Sequence, residues 1–326
     1  EPVISVPVSM KKTGCWWDWI IDSYDGFSPG YRYQNRSITD VKQNALTIDV
    51  EDYFQVAALA EAVNRDDWPT MEYRVEANTE RLLELFSERD VRATFFTLGW
   101  VAERSPNLVK KIQQAGHEIA SHGYSHQLVY TQTPDVFREE TRKSKRILED
   151  ITGEPVTGYR AASYSITAQS RWALDILCDE GFTWDSSIFP VHHDRYGMPG
   201  TPHEPYLLQA PNGKTLTEFP LSTCPIGRYR LPIAGGGYFR LFPYWLSHWG
   251  LGKINRAGQP FIFYLHPWEI DTGQPRLKVK AFSRFRHYNN LDKCMHRLER
   301  LLGDFRFGSV SDVLSGTDIP TRAVAV

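Results

Sequence analysis

Two histidines four residues apart mark the first candidate site in the sequence. His122 and His126 lie in the stretch HEIASHGYSH, residues 117–126. If they share a helical turn, their imidazole nitrogens can reach one metal ion at about 2.0 to 2.1 Å. Two neutral imidazoles leave a divalent cation short of negative charge, so we expect a carboxylate as third ligand and an open position for water. The pattern predicts a catalytic metal site that performs hydrolysis.

The composition limits the kinds of partner. The 326 residues are 41% hydrophobic and 23% charged, which is ordinary for a soluble globular protein with a buried core. A net charge of -2 offers no basic stripe to release counterions from nucleic acid, so no nucleic-acid partner is expected. Aromatic residues reach 13%, with 10 Trp, and some are expected to form stacking surfaces for sugar rings while most pack inside.

Neither a membrane span nor an intact signal peptide is expected. The sequence has no run of about 18 or more apolar residues. The apolar stretch CWWDWII is interrupted by Asp18 and lacks a small-residue cleavage site. We predict a cytoplasmic location, or a periplasmic or secreted one if a signal peptide has been removed. The cysteines show no CxxC spacing, which favours reduced thiols over a disulfide framework: Cys15, Cys178, Cys224 and Cys294.

Strand and helix patterns alternate along most of the chain. Residues 1–43 are rich in Pro, Gly, Ser and Trp and are predicted to be an irregular arm, whereas 44–316 are predicted to form one domain. Such alternation indicates parallel strands wrapped by helices. The predicted strands are 45–50, 91–99, 117–121, 155–160, 182–187, 215–221 and 260–266. The predicted helices are about 78–89, 106–115, 134–151, 172–179, 238–250 and 290–302.

Polar residues that could take part in catalysis fall at the carboxyl ends of these predicted strands. They are the carboxylates within 49–52, His122, Arg160, Asp185 and His266. In barrel-like α/β folds this is the face on which sites are assembled, and structural polar residues have no reason to prefer it. The coincidence over five strands predicts an enzyme.

Six short motifs resemble, in order, the polysaccharide deacetylase family, which is carbohydrate esterase family 4 or the NodB-homology domain. They are TIDVED, ATFF, GHEIASHGYSH, GYRAASYS, WDSSIFP and YLHPWE, over roughly 45–270. DVEDYF, GGGYFRLFPY and RFRHYNNL resemble the subgroup found in bacterial exopolysaccharide loci, close to allantoinase-like and peptidoglycan deacetylase members. The resemblance implies a distorted (β/α) barrel of about seven parallel strands with a C-terminal helical extension. It also implies removal of N-acetyl groups from amino sugars with a divalent metal, usually zinc.

The resemblance assigns catalytic roles residue by residue. Asp49 would be the general base, and Arg160 the partner that keeps it ionised. His266 would be the general acid, and Asp185 the carboxylate that orients its ring.

The resemblance also assigns the metal ligands, with one departure. His122 and His126 match the metal histidines, but Asp49 is followed by Val50 where the family has adjacent aspartates. The third ligand would then be Glu51 or Asp52. Glu51 is favoured because a residue two along a strand returns to the same face, and Asp52 is the second choice.

Three residues are candidates for contacts with an N-acetylated polysaccharide or oligosaccharide, either exopolysaccharide or peptidoglycan-like. A backbone N–H near Ser163 or Tyr164 would stabilise the negative carbonyl oxygen. Tyr164 and Trp268 would line a sugar groove.

Two alternative functions stay open. One is a metal-independent, allantoinase-like amide or ureide hydrolase, against which the complete His, His and carboxylate set argues. The other is a sugar-binding protein without catalysis, against which Asp49 and His266 argue.

Overall fold

The computed structural model describes residues 42–193, 196–320 and 323–325. The irregular arm predicted for 1–43 lies outside the described residues up to residue 41, and the first strand begins at Gln43. No helix in the described ranges is long and apolar enough to cross a bilayer. Cys178, Cys224 and Cys294 are free thiols, whereas Cys15 lies outside the described ranges.

The strands form one large sheet and one small one. The strands are β1 (Gln43–Val50), β2 (Thr94–Thr97), β3 (Glu118–Ser121), β4 (Gly158–Tyr159), β5 (Trp184–Asp185), β6 (Tyr206–Gln209), β7 (Thr215–Glu218), β8 (Thr223–Ile226), β9 (Tyr229–Pro232), β10 (Ile262–Leu265), β11 (Arg306–Gly308) and β12 (Val324–Ala325). In the large sheet the order is β10, β1, β2, β3, β4, β5, β7, β6, β12, and β11 also pairs with β1. Every pair in it is parallel except β6 with β7, while β8 and β9 form a separate antiparallel hairpin.

The chain after β7 returns to the opposite end of the parallel run. The amide of Ile262 in β10 donates to Ser222 Oγ at 2.9 Å, and the amide of Tyr264 donates to the Ala234 carbonyl at 3.0 Å. Gly235 forms a parallel bridge with Tyr264. Seven parallel strands, from β10 to β7, are thereby curved into a distorted barrel. The predicted α/β fold is confirmed.

The helices cover the outside of this sheet. They are α1 (Val75–Glu88), α2 (Gly99–Arg104), α3 (Pro106–Gln114), α4 (Pro134–Thr152), α5 (Trp172–Asp179), α6 (Gly236–Leu241), α7 (Tyr244–Arg256), α8 (Ala281–Tyr288), α9 (Leu291–Asp304) and α10 (Val310–Ser315). The limits of α4 follow from its sequence: Thr133 Oγ1 accepts from the Val136 amide, Pro134 takes the first position, and Gly153 ends the helix at φ 71°. The last three helices form the C-terminal extension.

Some predicted elements have different limits. The helix predicted for 238–250 is two helices, α6 and α7, because Pro243 has no amide hydrogen to continue the first. The hairpin of β8 and β9, strand β6 and helix α8 were not predicted.

Strand β1 lies in the barrel wall between β10 and β2, and residues 44–50 are all buried. Leu46, Ile48 and Val50 belong to the main apolar cluster with helix residues. The alternate positions 45, 47 and 49 face the other way, because successive side chains of a strand point to opposite faces. This alternation directs Asp49 into the barrel.

Candidate active site

Glu51, His122 and His126 form the only metal-ligand group of three or more such side chains within the described part of the chain. Each offers one ligand atom, and these atoms lie within 4.8 Å of one another. Glu51 Oε2 lies 2.7 Å from His126 Nε2, and all three side chains are buried. Two imidazole nitrogens and one carboxylate oxygen are a donor set suited to a divalent cation with an open position.

The two histidines meet in a loop that follows β3, and not on the helical turn that their spacing would allow. His122 directly follows β3, and the next residues continue with Gly123 at φ 74° and His126 at φ 52°. The ring centroids are 5.3 Å apart. A left-handed turn after the strand, not helical periodicity, brings the imidazoles together.

The tautomer of His122 is set by the backbone. Its Nδ1 lies 2.8 Å from the Arg160 carbonyl oxygen, which can only accept a hydrogen bond. Nδ1 therefore carries the proton, and Nε2 keeps a lone pair for a metal. Burial lowers the pKa of His122 to about 4, which keeps the ring neutral.

Glu51 is ionised although it is buried. Burial raises its pKa, but the neighbouring His126 charge and hydrogen bond, with His266 and His122, outweigh burial and bring the pKa to about 2. Glu51 and His122 thus present the protonation states that a divalent metal requires.

Asp52 does not lie with the histidines, so its assignment as a candidate metal ligand is wrong. Its carboxylate accepts hydrogen bonds from the amides of Tyr53 at 2.8 Å, Arg74 at 2.6 Å and Val75 at 2.8 Å. It ties the loop after β1 to the start of α1. Of the two choices left by the sequence, only Glu51 belongs to the group with the histidines.

Arg160 lies beside Asp49 in the barrel interior. Its Nη1 donates to Asp49 Oδ1 at 2.7 Å and to Thr47 Oγ1 at 2.8 Å, and its Nη2 donates to Ser186 Oγ at 3.0 Å. Both members of the ion pair are buried. The guanidinium pairs with the charge of the carboxylate and fixes Asp49 Oδ1, which leaves Oδ2 directed toward His266.

His266 faces the same carboxylates from the end of β10. Its Nε2 lies 3.7 Å from Asp49 Oδ2 and 3.6 Å from Glu51 Oε1. Its Nδ1 lies 2.7 Å from Glu269 Oε1. Burial lowers the pKa of His266, but the hydrogen bond to Glu269 and the charge of Glu51 exceed that effect and raise it to about 9. The ring is therefore a cation able to donate a proton.

Asp185 does not orient His266, so that prediction is wrong. Its carboxylate accepts from Ser187 Oγ at 2.6 Å and from the Ser187 amide, and it is hydrogen-bonded to Glu218. Burial raises the pKa of Asp185 to about 6, and burial with the Asp185 charge raises the pKa of Glu218 well above its usual value. The raised pKa values favour a proton held between these two carboxyls. The carboxylate that orients the His266 ring is Glu269.

Glu269 and Arg240 are the functional residues that sequence reasoning missed. Arg240 Nε donates to Glu269 Oε2 at 2.5 Å, and its other nitrogens donate to the carbonyl oxygens of Arg286, His287 and Asn289. Burial opposes ionisation of Glu269, but Arg240 and the histidine lower its pKa below the usual value.

A sequence signal for Glu269 exists in HPWE. Glu269 follows His266 by three residues with Pro267 between them, which is the spacing of a capping turn. The structure forms this turn at Pro267–Ile270, and Glu269 Oε1 also accepts from the His266 amide at 3.2 Å.

The predicted substrate residues lie at the site but differ in availability. Ser163 and Tyr164 both adopt positive φ, at 50° and 56°. The Tyr164 amide donates to the Ala161 carbonyl at 3.0 Å, which leaves the Ser163 amide as the candidate oxyanion donor. The Tyr164 ring is buried against Phe189 and Tyr264.

Trp268 is a support for the site more than an exposed sugar platform. Only 6% of it is exposed. Its Nε1 donates to Glu51 Oε1 at 3.2 Å, and its ring stacks between His266 and His287, with centroid distances of 5.2 and 4.3 Å. It fixes one carboxylate oxygen of Glu51 and one face of His266.

The fold and the site define an α/β-barrel protein with a candidate metal centre at the carboxyl ends of its strands. Residues 62–177 match the family described as polysaccharide deacetylase, and 186–315 match a domain of unknown function, DUF3473. The family expected from the motifs is confirmed by this match over residues 62–177. This segment carries His122, His126 and Arg160, while Asp49 and Glu51 precede it and His266 lies in the second match.

Curated relatives match about a third of the chain, 36% and 35% of it. The peptidoglycan deacetylase of Helicobacter pylori is 34% identical over 119 residues, which cover 36% of this chain and 39% of that protein. A peptidoglycan-N-acetylglucosamine deacetylase of Bacillus cereus is 37% identical over 115 residues, or 35% of this chain and 40% of that protein. The chain thus spans about two fifths of the length of these relatives, at 39% and 40%.

Solved structures share the fold over most of the chain. A Mycobacterium smegmatis protein assigned to the polysaccharide deacetylases has a TM-score of 0.57 at 20% identity, and the match covers 89% of this chain and 96% of that one. Puue allantoinase has a TM-score of 0.56 at 16% identity, with 84% and 89% covered. At these identities the likeness establishes the fold.

Proposed function

We propose that the protein is a divalent-metal-dependent hydrolase that removes N-acetyl groups from the amino sugars of a bacterial polysaccharide. The observation that carries the proposal is the convergence of Glu51, His122 and His126 beside two pairs, Asp49 with Arg160 and His266 with Glu269. The family of residues 62–177 and the names of the curated relatives support this reaction.

Glu51 and the two histidines would hold the metal, and zinc suits two imidazoles and a carboxylate. When bound, the cation polarises the acetyl carbonyl and makes water a stronger nucleophile. The protein supplies neutral His122 and ionised Glu51 without further proton loss.

Asp49 acts as the general base. Its Oδ1 is held by Arg160, while its Oδ2 faces the space shared with His266 Nε2 at 3.7 Å. The free oxygen accepts the proton of the attacking water, while Arg160 holds the other oxygen in place. Such a base contributes about 100- to 10,000-fold to the rate.

His266 acts as the general acid. An amine is a poor leaving group until it is protonated, and the cationic ring presents Nε2 toward the same space as Asp49. Glu269 fixes the ring through Nδ1, so that Nε2 carries the transferable proton. The Ser163 amide is the candidate donor to the developing oxyanion.

The proposed substrate is an N-acetylglucosamine-type polymer, from exopolysaccharide or peptidoglycan. Purified protein is expected to hold about one divalent ion per chain and to release acetate from N-acetylglucosamine oligomers. His122→Ala should lose both the ion and the activity. His296→Ala is the matched control, because His296 is an exposed histidine whose removal leaves the site intact.

Three results would overturn the proposal. Full activity after complete metal removal, with turnover of a ureide such as allantoin, would establish the allantoinase-like reaction. Stoichiometric metal with oligosaccharide binding and no acetate release from any acetylated glycan would establish a binding protein. Equal activity of His122→Ala and His296→Ala would exclude the histidine pair.

A further inference from the structure

Exposed apolar side chains concentrate in the C-terminal half of the protein. Six of the seven large ones on the described surface lie between residues 226 and 285, outside the segment of the deacetylase family. The most exposed is Phe282, at 67%, and Phe285 follows at 52%. Both belong to α8, where residues three apart share a face. Two adjacent phenyl rings in water are unusual for a surface without a partner.

The same stretch is strongly basic, so the absence of a basic stripe expected from the net charge is wrong for this part of the chain. Five cations and no carboxylate occur between Asp271 and Asp292, although the chain as a whole has a net charge of -2. The remainder of the chain is therefore net acidic, and the positive charge is concentrated locally. The cations are Arg276, Lys278, Lys280, Arg284 and Arg286.

Alternation in the segment before α8 directs these charges outward. Leu277 and Val279 pack against the cluster that contains Trp268, while Arg276, Lys278 and Lys280 are exposed. The exposed residues border a groove of about 630 Å³, which Arg284 and Glu61 also line. Glu61 is the groove's single carboxylate and pairs with Lys280 at 2.9 Å. The groove therefore has a surplus of positive charge.

We propose that this α8 surface, formed by Arg276, Lys278, Lys280, Phe282, Arg284, Phe285 and Arg286, binds the surface of an anionic lipid bilayer. Basic side chains attract lipid phosphates, and phenyl rings enter the boundary between head groups and acyl chains. The guanidinium of Arg286 lies 5.6 Å from the Phe282 ring, so charge and apolar surface are side by side. A neutral glycan is a poorer occupant, because it carries no negative charge to pair with the five cations of this surface.

The α8 surface is joined to the candidate active site by one layer of side chains. His287, on the buried side of α8, stacks on Trp268, and Trp268 donates to Glu51. Membrane binding would hold the barrel mouth near the bilayer. The binding itself does not depend on the proposed reaction.

Co-sedimentation with vesicles tests the proposal. The whole protein should bind vesicles of phosphatidylcholine with about a quarter phosphatidylglycerol, and at least about tenfold more weakly those of phosphatidylcholine alone. High salt should weaken the binding, because it screens exposed charges.

Two double variants separate the contributions. Phe282→Ser with Phe285→Ser, and Lys278→Glu with Arg284→Glu, should each reduce binding about tenfold or more. The matched controls are Val136→Ser and Lys110→Glu, which change an exposed apolar residue and an exposed cation on other helices. Thermal unfolding of all variants should stay close to that of the parent, since the changed residues are exposed.

Three outcomes would overturn the inference. They are equal binding to both vesicle types, no binding to either, and binding that both double variants leave unchanged. Capture of a soluble acidic polysaccharide such as polygalacturonate, with no vesicle binding, would assign the cations to a polymer and exclude the bilayer.

Discussion

Glu269 Oε1 lies 2.7 Å from His266 Nδ1, while its other oxygen accepts from Arg240 at 2.5 Å. His266 and Glu269 directly follow the carboxyl end of strand β10, and Glu269 and Arg240 are almost fully buried. The carboxylate that orients the candidate acid therefore comes from the turn that follows the same strand.

Glu269→Gln should lower turnover about 10- to 100-fold, because the change removes the carboxylate that orients His266. The protein should keep its metal, because Glu269 is not among the candidate metal ligands. Acetate release and metal content are the measurements, with thermal unfolding to detect damage to the Arg240 pair. Asp185→Asn is the comparison, since Asp185 bonds Ser187 and Glu218. A larger loss of turnover in Asp185→Asn than in Glu269→Gln would contradict the assignment.

Substitutions of the neighbouring carboxylates Glu51 and Asp52 should have different effects, one on metal affinity and the other on the stability of the fold. Glu51→Gln is expected to weaken metal affinity at least about tenfold, because a neutral amide replaces the only anionic ligand. Asp52→Ala is expected to keep the metal but to lower the free energy of unfolding by about 2 kcal/mol, since buried amides of Arg74 and Val75 lose their acceptor. Metal titration and denaturant unfolding of both variants distinguish the roles. Loss of metal in Asp52→Ala with retention in Glu51→Gln would reverse them.

Asp49→Asn should reduce acetate release about 100- to 10,000-fold with little change in metal content. The amide oxygen can still accept from Arg160, so the barrel interior keeps its hydrogen bond, but an amide cannot take a proton from water. Asp66→Asn is the control, because Asp66 is exposed. Activity within a few-fold of the parent would exclude Asp49 as the base.

The Asp185 and Glu218 pair should make stability depend on pH. Both pKa values are raised in the folded protein, with Asp185 at about 6, so the folded state keeps protons that the unfolded chain has lost. The contribution of the pair is complete below the unfolded pKa values, near 4, and is lost as pH rises through about 6 and above. Glu218→Gln should flatten this dependence and raise the free energy of unfolding at pH 8 relative to the parent.

Urea unfolding at pH 5 and pH 8 measures that difference. Glu154→Gln, which changes an exposed carboxylate, is the control and should keep the slope of the parent. Parallel stability curves for the parent and Glu218→Gln would show that the buried pair carries no proton linkage.

The sequence predicted the residues that stand at strand ends, because those positions follow from local patterns. Short strand patterns that end in polar residues predict Asp49, His122 and His266 on one face of the barrel. The helix α4 was equally predictable, since Thr133, Pro134 and Gly153 each limit it locally.

Partners that depend on side-chain direction were not predictable in the same way. Asp185 and Glu269 both lie close to the end of a strand, and the capping-turn spacing of HPWE is the one local signal that favours Glu269 as the partner of His266. The structure decides it, because Asp185 is engaged by Ser187 while the turn at Pro267 brings Glu269 back onto the ring. Likewise, two histidines four apart suggested a helix, and only the left-handed backbone at His126 shows a loop.

Strand β1 lies between β10 and β2, and Asp49 and Glu51 belong to its end while His266 follows β10. Trp268 and Glu51, which touch, are 217 residues apart in the chain. During synthesis the carboxylates leave the ribosome long before the imidazole exists, so the nascent polypeptide cannot assemble a working centre. The proposed active site can therefore assemble only after β10 has been synthesised and has docked against β1.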